Sequence, residues 1–178
     1  MALNREDFSF VLRLLTPTNR LVIRLAAETG LRISDCLSMT SNQLQTAIKN
    51  NGYVYLLESK TGKKRRVYLS KSLRGDLVLN VSVLSPFLFP NRFDNFKHRT
   101  RQAIWKDIHR AAIALRFDGQ ISPHSIRKMA AQEKLCAVNG NTETVRRWLN
   151  HSDSSVTAIY ILAKHAHSGA KHLPKKRG

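Results

Sequence analysis

Apolar residues recur at helical spacing along most of the chain and alternate over only one short stretch. This predicts an α+β fold that is mainly α-helical, with one small antiparallel β-sheet. Phe8, Leu12 and Leu15 share a helical face behind an Asn4 N-cap, with Asp7 placed to reach back, and this first helix ends near Pro17. A second helix starts at Thr18 and stops at Gly30, a residue suited to a left-handed C-cap. A short helical stretch follows over 34–39. Residues 52–57 and 66–69 alternate or run apolar around Thr61 and Gly62, the pattern of a β-hairpin. Residues 71–79 suit another short helix, and 85–90 an apolar loop anchored in the core. A long basic helix is predicted over 97–115, with Ile104, Ile108, Ala111 and Leu115 facing inward. Ser122 followed by Pro123 opens a helix that reaches about Val138 and is ended by Asn139 and Gly140. Two more short helices are expected over 142–149 and 154–163, the second carrying Tyr160. Residues 168–178 are basic and poor in apolar groups, which suits a mobile tail. No internal repeat or low-complexity linker interrupts residues 1–167, so a single domain is expected there.

Composition narrows the class. No apolar run reaches the roughly 18 residues a membrane span needs, and the first ten residues carry charge where a secretion signal would be apolar. A cytoplasmic protein with no membrane partner is the expectation. Cys36 and Cys136 follow no metal-ligand spacing and are both read as small buried apolar groups. Charge is more telling: 30 Lys and Arg against 12 Asp and Glu leave a formal net charge of +18. A field of that sign attracts nucleic acid phosphates and makes affinity salt-dependent through counterion release.

Four short segments carry the candidate chemistry. Arg32 stands just after the helix-ending Gly30, with Asp35 three residues further on. Such an arginine can hold a phosphate, although a surface arginine paired with Asp35 would look the same. Lys60 lies at the edge of the hairpin turn, where an exposed lysine is ordinary. His124 and Arg127 are three apart at a helix start, so both can face one point. His151 precedes Tyr160 by nine residues. Taken singly, a tyrosine on an amphipathic helix is a core or rim residue and a histidine is structural.

Taken in order, these segments resemble the boxes of the tyrosine recombinase (phage integrase) family over about residues 7–164. The family pattern T-G-x-R-x-S-E/D falls on Thr29 to Asp35, and K-T-G-K on Lys60 to Lys63. H-x-x-R falls on His124 to Arg127, and L-G-H-S followed at nine residues by tyrosine falls on Leu149 to Tyr160. Two positions depart from the pattern: Lys128 where many members have histidine, and Asn150 where glycine is usual. The family's separate N-terminal DNA-clamping domain has no counterpart here, which fits either a catalytic fragment or a small single-domain member.

The resemblance implies that residues 1–167 form a catalytic domain that cleaves and rejoins double-stranded DNA at specific sites. Tyr160 would be the nucleophile, forming a 3′-phosphotyrosyl ester that a free 5′-hydroxyl later attacks, with no metal, ATP or other cofactor. A phenol titrates near ~10 and needs help to lose its proton, which assigns His124 as acceptor or hydrogen-bond partner. Arg32, Arg127 and His151 would meet the charge on the non-bridging oxygens, and guanidinium forks suit that task. Lys60 is assigned the general acid for the leaving oxygen, with Lys63 as the alternative, and Asp35 would orient Arg32. Lys97, His98, Arg99, Arg101 and Lys106 would contact phosphates and position the duplex. The family also implies a homo-oligomer, dimer or tetramer, on DNA; a monomer is expected without it. A type IB topoisomerase uses a similar residue set, and a catalytically silent DNA-binding protein of this fold is the other alternative. His165 and His167 form an H-x-H pair with no Cys, Asp or Glu nearby in sequence, which suits polar surface groups better than a metal site.

Overall fold

The computed structural model describes residues 3–80, 82, 84–117 and 121–150. Eight helices and one hairpin occur among them, in the order α1 (Arg5–Leu14), α2 (Pro17–Thr29), α3 (Ile33–Leu37), α4 (Ser41–Lys49), β1 (Tyr53–Leu57), β2 (Lys64–Tyr68), α5 (Lys71–Val78), α6 (Arg101–Ala114), α7 (Pro123–Ala137) and α8 (Thr142–Leu149). The expected helical fold with a small antiparallel sheet is what forms. The 154–163 helix, His165, His167 and the 168–178 tail lie outside the described residues.

Capping explains most boundaries. Asn4 accepts from the Asp7 amide, Ser70 from Leu73, Thr100 from Ala103, and Ser122 from Ser125, each supplying an acceptor to a helix N–H that has no partner within the helix. Three readings need correction. Helix α4 was not anticipated, yet Thr40 and Gln43 make a reciprocal capping box that starts it. The basic helix begins at Arg101 rather than Lys97, because Thr100 is its cap and Asn91 and Arg99 spend their amides on the Lys97 and Phe89 carbonyls. Cys136 is exposed at the end of α7, and only Cys36 is buried.

One main core joins the layers. Val22, Ile23 and Leu25 of α2, Leu44 of α4, Leu73 and Leu77 of α5, Ile104 and Ile108 of α6 and Ile126 of α7 belong to one core cluster together with Leu88 and the fully buried Phe89. The apolar loop anchor expected at 85–90 is therefore real, and Leu88 holds it by donating to the Met39 carbonyl at 3.0 Å. In the hairpin, Val54 pairs with Val67 and Leu56 with Arg65, and these four side chains face inward while their neighbours face out. A buried arginine in an otherwise apolar strand face stands out.

Asp107 fixes α6 to the N-terminal helices. Its Oδ2 accepts from the Thr16 amide and hydroxyl and from Asn19 Nδ2, and its Oδ1 accepts from Arg110. Arg99 joins this network by donating to Asn19 Oδ1 at 3.0 Å, so one of the five basic residues assigned to DNA is engaged in holding the fold.

Gly30 is required twice over. Its φ of +64° is the left-handed conformation, and a Cβ there would stand 2.7 Å from the ring of Trp148 on α8. Gly30→Ala is expected to cost about 2 kcal/mol, combining the left-handed penalty with overpacking, and urea denaturation would measure it.

Candidate active site

Arg32 is the N-cap of α3 and follows the Gly30 turn, so its backbone is extended and its side chain leaves the helix start. Lys60 sits in the turn between β1 and β2, which is closed by the Glu58 amide on the Lys63 carbonyl and the Gly62 amide on the Glu58 carbonyl, with Gly62 left-handed. His124 and Arg127 stand on the first turn of α7, where Pro123 and the Ser122 cap fix the chain direction. These four residues come from three separate parts of the fold, and all of them line a single open cleft of about 850 Å³. Ser34, Ser59, Arg101, Gln102 and Trp105 also face it. His151 and Tyr160 lie outside the described residues.

The groups differ in how firmly they are held. Arg127 is only 5% exposed and donates from Nη2 to the Leu149 carbonyl at the end of α8, 2.8 Å away. Arg32 donates from Nη1 to Glu58 Oε2 at 2.9 Å. That contact corrects the expectation for Asp35, whose Oδ1 instead accepts from the amide and hydroxyl of Ser59 at 2.9 and 2.7 Å. Asp35 thus anchors the residue before Lys60, and Glu58 takes the place beside Arg32. Burial pushes the fully buried Glu58 carboxyl up, but the Thr61 hydroxyl and the Arg32 and Arg65 guanidiniums outweigh it and hold it below the usual carboxylate range.

His124 is held below its ordinary pKa, first by partial burial and then by the positive charges of Lys128 and Arg127. A neutral imidazole at neutral pH can accept a proton. The sign is definite: the neutral form persists as pH falls to the lowered pKa and is lost below it. Removing the Lys128 charge takes away one of the positive charges that lower it. Lys128→Met is therefore expected to move the acid limb of a strand-cleavage pH profile to higher pH, read by initial rates from pH 4.5 to 8.

Two departures from the family pattern have structural readings. Asn150 is the C-cap of α8 with φ 54° and ψ 40°, a left-handed position where glycine is common and asparagine the usual substitute. Lys128, in place of histidine, acts on His124 through its charge. Two cleft residues, Gln102 and Trp105, were not anticipated, and neither was Glu58, which is buried, does not line the cleft and pairs with Arg32. Trp105 is 41% exposed and its ring lies 4.9 Å from that of His109, nearly parallel. With Arg101 it marks an exposed i, i+4 face of α6 that the sequence does carry.

Two arginines, a lysine and a histidine line one concave site in a helical fold with one hairpin, an arrangement that can offer positive charge and donors to a phosphate. The phage integrase family model matches residues 11–167, and the chain belongs to that family. It is 32% identical over 149 residues to tyrosine recombinase XerD of Rhizobium meliloti, covering 78% of this chain and 45% of that protein. Tyrosine recombinase XerD of Lacticaseibacillus casei is 26% identical over 156 residues, covering 84% and 52%. The chain spans about half the length of these curated relatives. Among solved structures, XerA recombinase superposes with a TM-score of 0.72 at 15% identity, over 97% of this chain and 65% of that one. A lambda integrase dimer bound to a COC′ core site gives 0.72 at 17% identity, over 99% and 62%. These likenesses establish the shared fold.

Proposed function

We propose that the chain is the catalytic part of a site-specific tyrosine recombinase, which breaks and rejoins double-stranded DNA through a 3′-phosphotyrosyl intermediate. The observation that carries this reading is the convergence of Arg32, Lys60, His124 and Arg127 on one cleft. The first two come from the α2–α3 turn and the hairpin turn, and the other two from the start of α7.

A scissile phosphate seated in this cleft would meet the Arg32 and Arg127 guanidiniums on its non-bridging oxygens, where charge grows as phosphorus becomes five-coordinate. His124, neutral at physiological pH, takes the Tyr160 proton or orients it. Lys60 is exposed at a turn and reaches the leaving 5′-oxygen as general acid, while Asp35 fixes the backbone next to it through Ser59. His151 adds a donor to the phosphate. The phosphotyrosyl ester conserves the bond energy, so rejoining by a 5′-hydroxyl needs neither ATP nor a metal. Arg101, Lys106 and the +18 charge draw in and align the duplex.

Relatives have been seen as a dimer on a core site and as a tetramer on a Holliday junction, in both cases lambda integrase. A DNA-dependent homo-oligomer is the matching arrangement for this chain, monomeric without DNA. No helix among the described residues is long and apolar enough to cross a membrane. A cytoplasmic setting, where DNA is accessible, goes with this function.

The test is incubation with duplexes nicked near the cut, drawn from sequences flanking the gene, followed by denaturing gels. A covalent protein–DNA band present in the wild type and absent in Tyr160→Phe supports the reading. Its persistence in Tyr160→Phe refutes the nucleophile, and DNA binding without any band in the wild type favours a silent DNA-binding protein. Relaxation of supercoiled plasmid without exchange between two sites would point to topoisomerase chemistry.

A further inference from the structure

Arg65 does not line the cleft, and no step above uses it, yet it is one of the most engaged side chains in the molecule. It is buried, with Nη1 on the Glu58 carboxylate at 3.2 Å and on the Gly30 carbonyl at 3.3 Å. Its Nη2 donates to the Thr29 carbonyl at 2.6 Å and to the Trp148 carbonyl. One planar fork thus joins three elements: its own hairpin, the end of α2 where the Arg32 turn begins, and the last turn of α8. The acceptors suit a cation, since Thr29, Gly30 and Trp148 supply carbonyls at helix C-termini, the negative ends of their dipoles. Glu58 completes the arrangement, because its other oxygen holds Arg32 at 2.9 Å and the Thr61 hydroxyl of the Lys60 turn at 3.0 Å.

We propose that Glu58 and Arg65 are positioning residues, a clamp that sets Arg32, the Lys60 turn and the exit of α8 relative to one another. Arg65 holds Trp148 at the same helix end where Arg127 holds Leu149, so the chain that goes on to His151 and Tyr160 leaves α8 from a point fixed beside the phosphate arginines. The inference rests on the recombinase reading, in that the residues positioned are the ones assigned there. Lysine at position 65 and glutamine at position 58 each break the arrangement. Lysine offers one ammonium and cannot span three carbonyls and a carboxylate as a planar fork does. Glutamine at position 58 presents an NH2 to one of two guanidiniums, donor against donor, and releases Arg32 or Arg65.

The experiment uses the full chain on nicked duplex, with wild type and Tyr160→Phe fixing the baseline. Glu58→Gln, Arg65→Lys and Glu58→Asp are compared with the double variant E58M/R65M, which removes both buried charges of the clamp together. Duplex binding by fluorescence anisotropy, cleavage rate at saturating DNA and thermal melting are measured on each. The clamp predicts binding within about threefold of wild type and cleavage slower by about 10- to 100-fold, the size expected when reacting groups are misplaced by about an ångström, with partial recovery in Glu58→Asp. Cleavage within threefold of wild type in folded Glu58→Gln, Arg65→Lys and E58M/R65M overturns it, as does loss of folding in all three, which would make the pair a support of the fold alone. Failure of the recombinase reading is distinguishable, since the wild type then forms no Tyr160-dependent band. In that case acrylamide quenching of Trp148 in a Trp105→Phe background decides: at least a twofold rise in Arg65→Lys supports the clamp, and unchanged quenching overturns it.

Discussion

Arg127→Ala is expected to slow strand cleavage by about 10²- to 10³-fold at saturating DNA, the usual loss when one donor to a developing oxyanion is removed. The same change is expected to destabilise the folded protein by about 1–3 kcal/mol. The two effects share one cause, because the side chain has two duties. Its position in the cleft beside His124 places it for the phosphate, while its Nη2 serves the Leu149 carbonyl at 2.8 Å. Truncation leaves that carbonyl short of a donor in a buried place. Single-turnover cleavage and thermal melting on the same preparation separate the two losses. Arg127→Lys keeps the charge but loses the fork, so it should bind DNA nearly normally and remain deficient in cleavage. A cleavage loss of only a fewfold in Arg127→Ala would remove this residue from the phosphate site.

The largest effect on stability alone is expected at Phe89. Its side chain is fully buried and belongs to a segment between α5 and α6 that reaches the core. It shares one core cluster with residues of α2, α4, α5, α6 and α7, and a close-packed interior refills the hole left by Phe89→Ala only in part. A loss of about 3–5 kcal/mol follows, a large part of the 5–15 kcal/mol that typical domains possess. Urea unfolding followed by circular dichroism would measure it, and a loss below about 1.5 kcal/mol would mean that the segment is not anchored in the core. Phe89 lies away from the cleft, so the rate of cleavage by the remaining folded protein should be close to wild type.

Local signals were readable because they depend on few residues. Gly30 ends α2 in the left-handed conformation it was expected to adopt, Ser122 and Pro123 open α7, and Thr61 and Gly62 lie in the hairpin turn. Helix α4 was overlooked although Thr40 and Gln43 announce it, since the run from Ser41 to Lys49 has only Leu44, Ala47 and Ile48 as apolar positions and reads as a polar linker. Lys97 to Thr100 look helical by composition, but Thr100 is a better cap than a helix interior residue. At the candidate site, the order of the boxes identified Arg32, Lys60, His124 and Arg127, and tertiary packing brings them together. The expected Asp35–Arg32 pairing fails for a physical reason. Asp35 is three residues from Arg32, and helical spacing makes that pairing attractive, yet the hairpin turn brings Ser59 to Asp35 and Glu58 to Arg32 across the fold. No sequence periodicity records a contact between residues 26 apart. Glu58 itself, at the edge of a turn rich in lysine, looks like a solvated charge until two arginines close over it.

The two cysteines differ in a way that an experimenter can use. Cys36 lies in the core, where burial pushes its thiol well above the ordinary range and keeps it unreactive, whereas Cys136 is exposed near the end of α7. A maleimide dye should therefore attach at one place without any engineered cysteine and without disturbing the cleft, which α7 enters at its opposite end. Energy transfer between differently labelled copies would then test, in real time, whether protomers gather on a single duplex as proposed.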